Sequence, residues 1–248
     1  MLHKNYIIGI DDTDNLESRG TGYLARMLGI ALANNRLVLL RNIVRHQLLV
    51  HKDIPYTSHN SSASLSVEYI GEAEKIIDFC REYLLKESAE GSDVGLCIAS
   101  EQLVSDAIVD WGYQAKSIVL TMEKAVLLAN AQGVFLEGLR GTKGGIIGAM
   151  AAVGLRKSGE DGRLLWLPKL RQTMGVYAAK ELYDLINIDI ITDIKGNIVP
   201  LNAAIYTGEW LRPIMKNKKI NLIVEEVLSN EQYKYRVASK EYIKSLTE

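Results

Sequence analysis

The stretch GIDDTDNLESRGTGYLA, residues 9–25, decides how the rest of the chain is read. It follows an apolar run, Tyr6-Ile7-Ile8-Gly9-Ile10, whose β-branched residues suit a buried strand, and it leads into a helical pattern beginning near Thr21. Asp11, Asp12 and Asp14 therefore hang from the carboxyl end of a strand, where α/β sheets place ligands. Acids this close repel one another, so gathering them costs stability unless a cation or a set of donors compensates. Magnesium is the natural hard dication here: it takes oxygen ligands, keeps waters and sits on one or two carboxylates plus substrate phosphates. The alternative is a plain turn with one aspartate capping the next helix, since Asp-Asp-Thr-Asp-Asn is also good turn chemistry.

Working outward, the pattern predicts a strand over 3–10 and a helix over 21–34, with Leu24, Leu28, Ala31 and Leu32 as its apolar stripe. An extended run over 37–51, a polar loop over 55–62 and a strand over 63–67 follow. A helix over 70–85 and a strand over 95–99 close the series. The sum is β-α-β-β-α-β, the split unit of ferredoxin-like folds, in a mixed α/β (α+β) chain with helices on one face of an antiparallel sheet.

From residue 100 the pattern turns helical, over 101–111 and 121–131, where Thr121 followed by Glu123 and Lys124 reads as a helix start. A short strand over 134–137 runs into Gly138-Leu139-Arg140-Gly141-Thr142-Lys143-Gly144-Gly145, and an apolar helix spans 146–155. A glycine loop between a strand and a helix start can hold an anion on its backbone N–H groups. It is not a P-loop, because Gly144 follows Lys143 where that pattern needs Ser or Thr. Its alternative role is a tight turn with close helix packing. Past residue 171 a helix over 175–186 precedes strands over 188–193, 198–206, 220–227 and 233–237. Lys195-Gly196-Asn197 is a hairpin signal, and 239–248 a surface helix. Three parts result: 1–99, the ferredoxin-like part with the acidic loop; 100–172, the helical glycine-loop part; and 173–248, a small β-rich appendage suited to docking or a homodimer contact.

The 248 residues suffice for a substantial core. Basic and acidic residues nearly cancel, 29 against 30, so no overall field draws the chain onto nucleic acid or an anionic membrane. Cys80 and Cys97 lack the paired spacing of a zinc site and read as core residues. No long apolar segment precedes the first acids, so neither a signal peptide nor a membrane span is expected, and the cytoplasm is the default.

Gly9-Ile10-Asp11-Asp12-Thr13-Asp14, then Thr21 and Tyr23-Leu24-Ala25, resembles the opening of the kinase domain of archaeal agmatidine synthetase, the isoleucine-tRNA 2-agmatinylcytidine synthetase. That enzyme uses ATP to activate a cytidine carbonyl and replaces the oxygen with agmatine. Gly145-Ile146-Ile147-Gly148-Ala149-Met150-Ala151-Ala152-Val153-Gly154 is similar to a second block of the same family, which carries the likeness over roughly the first 170 residues.

The resemblance implies magnesium and ATP as cofactors. Asp11, Asp12 and Asp14 are the implied metal site, with two as ligands and one as an orienting or base residue; Asp11, Asp12 and Thr21 are the implied catalytic set. The family's equivalent of Thr21 is phosphorylated in the active site, whereas the residue-level alternative is a helix N-cap. Gly20, Gly22, Arg45, Lys143, Gly144, Gly145 and Gly148 are the implied nucleotide contacts, with Arg140 beside Lys143; Gly22 replaces a threonine of the family. In Ile54-Pro55-Tyr56-Thr57-Ser58-His59-Asn60-Ser61, the family's basic pair becomes Thr57 and His59, and His59, Asn60 and Ser61 are the implied substrate contacts. The family grips tRNA with an OB-fold and a zinc ribbon, for which this chain has neither length nor cysteines. The expected acceptor is thus a small molecule, or RNA delivered by a partner. The rival expectations are a non-catalytic nucleotide- or RNA-binding module of the same fold, and a homodimeric scaffold whose glycines serve packing.

Overall fold

The computed structural model describes residues 4–57, 59–228 and 232–247. The chain is a mixed α/β protein that divides into two compact units, Met1–Ser158 and Gly159–Glu248. Among the described residues it forms seven α-helices and mostly antiparallel sheet.

The first unit begins with β1 (Lys4–Asp11), α1 (Thr21–Asn34), β2 (Leu39–Gln47), β3 (Ser61–Tyr69), α2 (Ala73–Glu87) and β4 (Gly95–Ser100), the β-α-β-β-α-β order that the sequence predicts. Residue 3, placed in the first strand by the sequence, and Ser58 lie outside the described residues. A 3-10 turn (Glu101–Leu103), α3 (Asp106–Gln114), α4 (Met122–Gln132), β5 (Phe135–Gly138) and α5 (Ile146–Ser158) complete it. The strands lie in the order β5-β4-β1-β3-β2 with every neighbouring pair antiparallel.

Register assigns the faces. Ile8 pairs with Leu65, and Leu65 and Ile43 close on Gly29 of α1. On the opposite parity, Ile7 joins the core of Trp111, Ala149, Met150 and Val153 from α3 and α5, and Gly9 meets the carbonyl of Ala149. Helices thus cover both faces of β1, not one, because α5 packs where the first hundred residues alone predicted open sheet. This accounts for an unbroken buried run from Tyr6 to Ile10. The same parity places Asp11 on the α5 face. In the expected helix over 101–111, Ser105 is instead the N-cap of α3, and the 3-10 turn precedes it. Cys80 and Cys97 are fully buried free thiols, and burial pushes both well above the ordinary thiol range.

The second unit contains β6 (Arg163–Trp166), β7 (Val176–Ala178), α6 (Ala179–Ile186), β8 (Ile190–Asp193), β9 (Ala204–Tyr206), β10 (Ile214–Lys216), β11 (Lys219–Glu226), β12 (Tyr235–Val237) and α7 (Lys240–Thr247). Its strands run β6-β10-β11-β12-β9-β7, with β8 parallel to β11. Residues 175–186 open as strand rather than helix, with the Ala178 N–H held by Glu181 at 2.7 Å where α6 begins. The predicted hairpin at 195–197 is a turn built on Asp193, whose carboxylate accepts the N–H groups of Lys195 and Asn197. It makes one bridge, Thr192 to Ile198, because β8 spends its ladder on β11. Strands β6 and β10 are too short to show a period in sequence. Glu248, assigned to the terminal helix, lies outside the described residues.

Candidate functional site

The acidic loop leaves β1 at Asp11, and Asp12 adopts a left-handed conformation (φ 51°), which aspartate tolerates better than most residues. The turn buries Thr13 and brings it to Thr21 at the start of α1. Both the Thr13 N–H (3.2 Å) and its hydroxyl (3.1 Å) donate to the Thr21 hydroxyl oxygen. Thr21 in turn donates from its hydroxyl (2.7 Å) and its N–H (3.2 Å) to Asp14 Oδ1. Thr57 closes the set, its hydroxyl donating to Asp14 Oδ2 at 2.8 Å. Asp14 is thus the acceptor that caps α1 from seven residues upstream. Thr21 is not the N-cap: Gly20 holds that position, and Thr21 is the first helical residue.

Asp11 and Asp12 lie in a different electrostatic setting. Burial, then the charge of Asp12, push the Asp11 carboxyl up to about 8, and the Asp12 backbone N–H offsets only part of this. Asp12 is pushed up to about 6, by burial first and then by Asp93, whose own N–H bonds to it. Asp11 Oδ2 rests against the first turn of α5, where a Cβ on Gly148 would lie 1.8 Å from it. Gly145 is equally constrained, with the Asp93 carbonyl 2.5 Å and the Gly95 nitrogen 2.6 Å from where its Cβ would be.

A cavity of about 340 Å³ opens between these loops. Of the residues singled out from sequence, Asp11, Asp12, Asp14, Thr21, His59, Asn60, Ser61, Gly144, Gly145 and Gly148 line it. Gly20, Gly22, Arg45 and Lys143 do not. Gly20 stands beside Asp14. Arg45 reaches the wall indirectly, its guanidinium donating to Ser61 Oγ (3.1 Å) and Gln47 Oε1 (2.8 Å). Lys143 is exposed at a left-handed position of the glycine loop, and Arg140 turns away to donate to the Leu85 and Ser88 carbonyls at the end of α2. N–H groups at the end of the loop and the start of α5 already have backbone acceptors: Gly145 bonds to the Asp93 carbonyl (2.9 Å), Ile146 to Lys143 (3.3 Å) and Ile147 to Gly144 (3.2 Å).

The sequence reading missed two parts of the wall. Asp93 sits opposite Asp12, and nothing in Gly91-Ser92-Asp93 marks it beyond a turn before a strand. The apolar side is made by Leu48, Ala115, Ile118, Val119, Leu120 and Met122, with Ile147 from α5. In sequence the stretch before α4 signals only a helix start. Among the lining residues Asp11, Asp12, Asp14, Asp53, Asp93 and Glu123 are acidic and none is Lys or Arg. Among the described residues, no three His, Cys, Asp or Glu side chains are grouped closely enough to hold a metal by themselves.

No protein-family model matches the chain. An uncharacterized protein of Methanocaldococcus jannaschii, MJ0921, is 29% identical over 150 residues, or 60% of this chain and 49% of the relative. The chain thus spans about half the length of the curated relative it matches. Among solved structures, a complex of TiaS with its tRNA and ATP is similar with a TM-score of 0.52 and 24% identity, covering 61% of this chain and 36% of that one. A complex of TiaS with its tRNA, AMPCPP and agmatine is similar with a TM-score of 0.53 and 18% identity, covering 98% and 55%. TiaS is a tRNA agmatidine synthetase. The chain therefore shares the fold of the enzyme whose motifs residues 9–25 and 145–154 resemble.

Proposed function

We propose that the first unit is a magnesium-dependent ATP site and that the chain is a phosphotransferase or ligase similar to the agmatidine synthetase kinase domain. Its acceptor is a small molecule or RNA delivered by a partner. The ferredoxin-like assignment of β1 to β4 belongs to this reading. The observation that carries it is the Thr21 hydroxyl, buried on the cavity wall and hydrogen-bonded to Asp14, with both family-like blocks around the same space.

The donor set fits a dication that brings its own ligands. Asp11 and Asp12 offer hard oxygens whose charged forms are disfavoured first by burial and then by neighbouring carboxylates, a cost that a dication would offset. Among the described residues too few carboxylates gather for an all-protein cage, which suits magnesium retaining waters and phosphate oxygens. When bound, the ion neutralises phosphate charge, which lining residues without Lys or Arg cannot do alone. The chain's own residues do the rest. Asp14 fixes the Thr21 oxygen and accepts its proton as that oxygen attacks the terminal phosphorus of ATP, whose bond to the bridging oxygen breaks so that ADP leaves with the electron pair. Thr57 holds Asp14 in that orientation. The apolar side from Leu48 to Met122 excludes water and offers a surface for a base.

Incubation with magnesium and labelled ATP tests the reading. Nucleotide products, with label on Thr21 where that hydroxyl is the acceptor, are expected, and Asp11→Asn should abolish turnover. Binding without turnover would instead establish the alternative, a non-catalytic nucleotide module, which Thr57 and His59 in place of the family's basic pair favour. No binding of magnesium-ATP would overturn both.

A further inference from the structure

Two of the hydrogen bonds that fasten the glycine loop to the rest of the first unit run through a residue that neither motif contains. Asp93 Oδ1 accepts the Thr142 backbone N–H. The Asp93 carbonyl accepts the Gly145 N–H at 2.9 Å. Its N–H bonds to the Asp12 carboxyl. One residue thus joins the acidic loop, the middle of the glycine loop and the start of α5. The fit is tight: Gly141 is left-handed (φ 58°), and a Cβ there would lie 1.9 Å from Asp93 Oδ1. Of these ties, only the one to Thr142 depends on the side chain, and it is a hydrogen bond to a carboxylate, the strong kind.

We infer that Asp93 is a positioning residue: its carboxylate holds residues 141–145 at the distance from Asp11 and Asp12 at which a nucleotide's phosphates fit between the two loops. Asp93 acts through the Thr142 amide and not by touching the reacting atoms. The inference rests on the nucleotide reading of the same cavity, and the test separates the two.

The full chain is compared with Asp93→Ala and Asp93→Asn. Asparagine keeps an oxygen for the Thr142 N–H and alanine does not. In the ligand-free proteins, hydrogen exchange at Thr142 should accelerate about tenfold or more in Asp93→Ala, the loss of one hydrogen bond to a charged group, and stay near wild type in Asp93→Asn. Exchange within α5 at Met150 and Val153 should not change. Affinity for magnesium-ATP should fall about tenfold in Asp93→Ala and recover in Asp93→Asn. Unchanged Thr142 exchange in Asp93→Ala overturns the clamp. A loosened loop with full affinity, or equal weakening by both variants, overturns the positioning role. Wild type that fails to bind magnesium-ATP overturns the proposed function and with it the positioning role, while the exchange data still decide whether the clamp exists.

Discussion

At the scale of single residues, the two carboxyls at the end of β1 give the protein a distinctive response to pH. Folding raises Asp11 from 3.8 to about 8 and Asp12 from 3.8 to about 6. Over that interval the folded chain keeps protons that the unfolded chain has lost, so these groups make stability fall as pH rises through it. Melts in chelator should show the midpoint dropping between pH 3.8 and about pH 8, by free energies on the order of a few kcal/mol. Asp11→Asn should remove most of the slope, and magnesium should flatten it at the alkaline end. A slope in Asp11→Asn no different from that of the native chain would show that burial does not hold the proton on Asp11. Asp11, Asp12 and Asp14 were conspicuous in sequence, yet their division of labour was not. A string of letters gives the spacing of three acids but not the left-handed Asp12, which turns Asp14 to α1 and leaves Asp11 with α5.

At the scale of elements, the decisive feature is how closely α5 lies against the end of β1. A methyl at Gly148 would meet Asp11 Oδ2 at 1.8 Å, whereas one at Gly144 would meet only the Thr142 hydroxyl, at 3.4 Å. Gly148→Ala should therefore cost about 1–3 kcal/mol and abolish magnesium-dependent ATP binding. Gly144→Ala should stay within about 0.5 kcal/mol in thermal melts. Equal tolerance of both would mean that α5 does not set the position of Asp11. The β-α-β-β-α-β order was legible because each of its elements is long enough to show a period of two or 3.6. The short strands β6, β7 and β10 carry three or four residues each and show none. The apolar wall over 115–122 was illegible for a different reason: its residues read as ordinary lead-in to α4, and only the fold brings them to the carboxylates.

At the scale of the whole molecule, every residue lining the cavity belongs to the first unit. On the proposed function, hydrogen exchange with and without magnesium-ATP should show protection confined to residues 11–21, 48–61, 93 and 115–148, with the second unit unchanged. Protection concentrated in residues 159–247 would place the nucleotide elsewhere. The family resemblance was legible over the first 170 residues because the motif loops are contiguous runs, and the shared fold agrees with it. The lining also has a practical side. Both native thiols are sealed in the core and burial keeps them protonated, so alkylating reagents have no foothold on the folded native chain. A cysteine engineered at the exposed rim position His59 would take a fluorophore or spin probe without any background to remove.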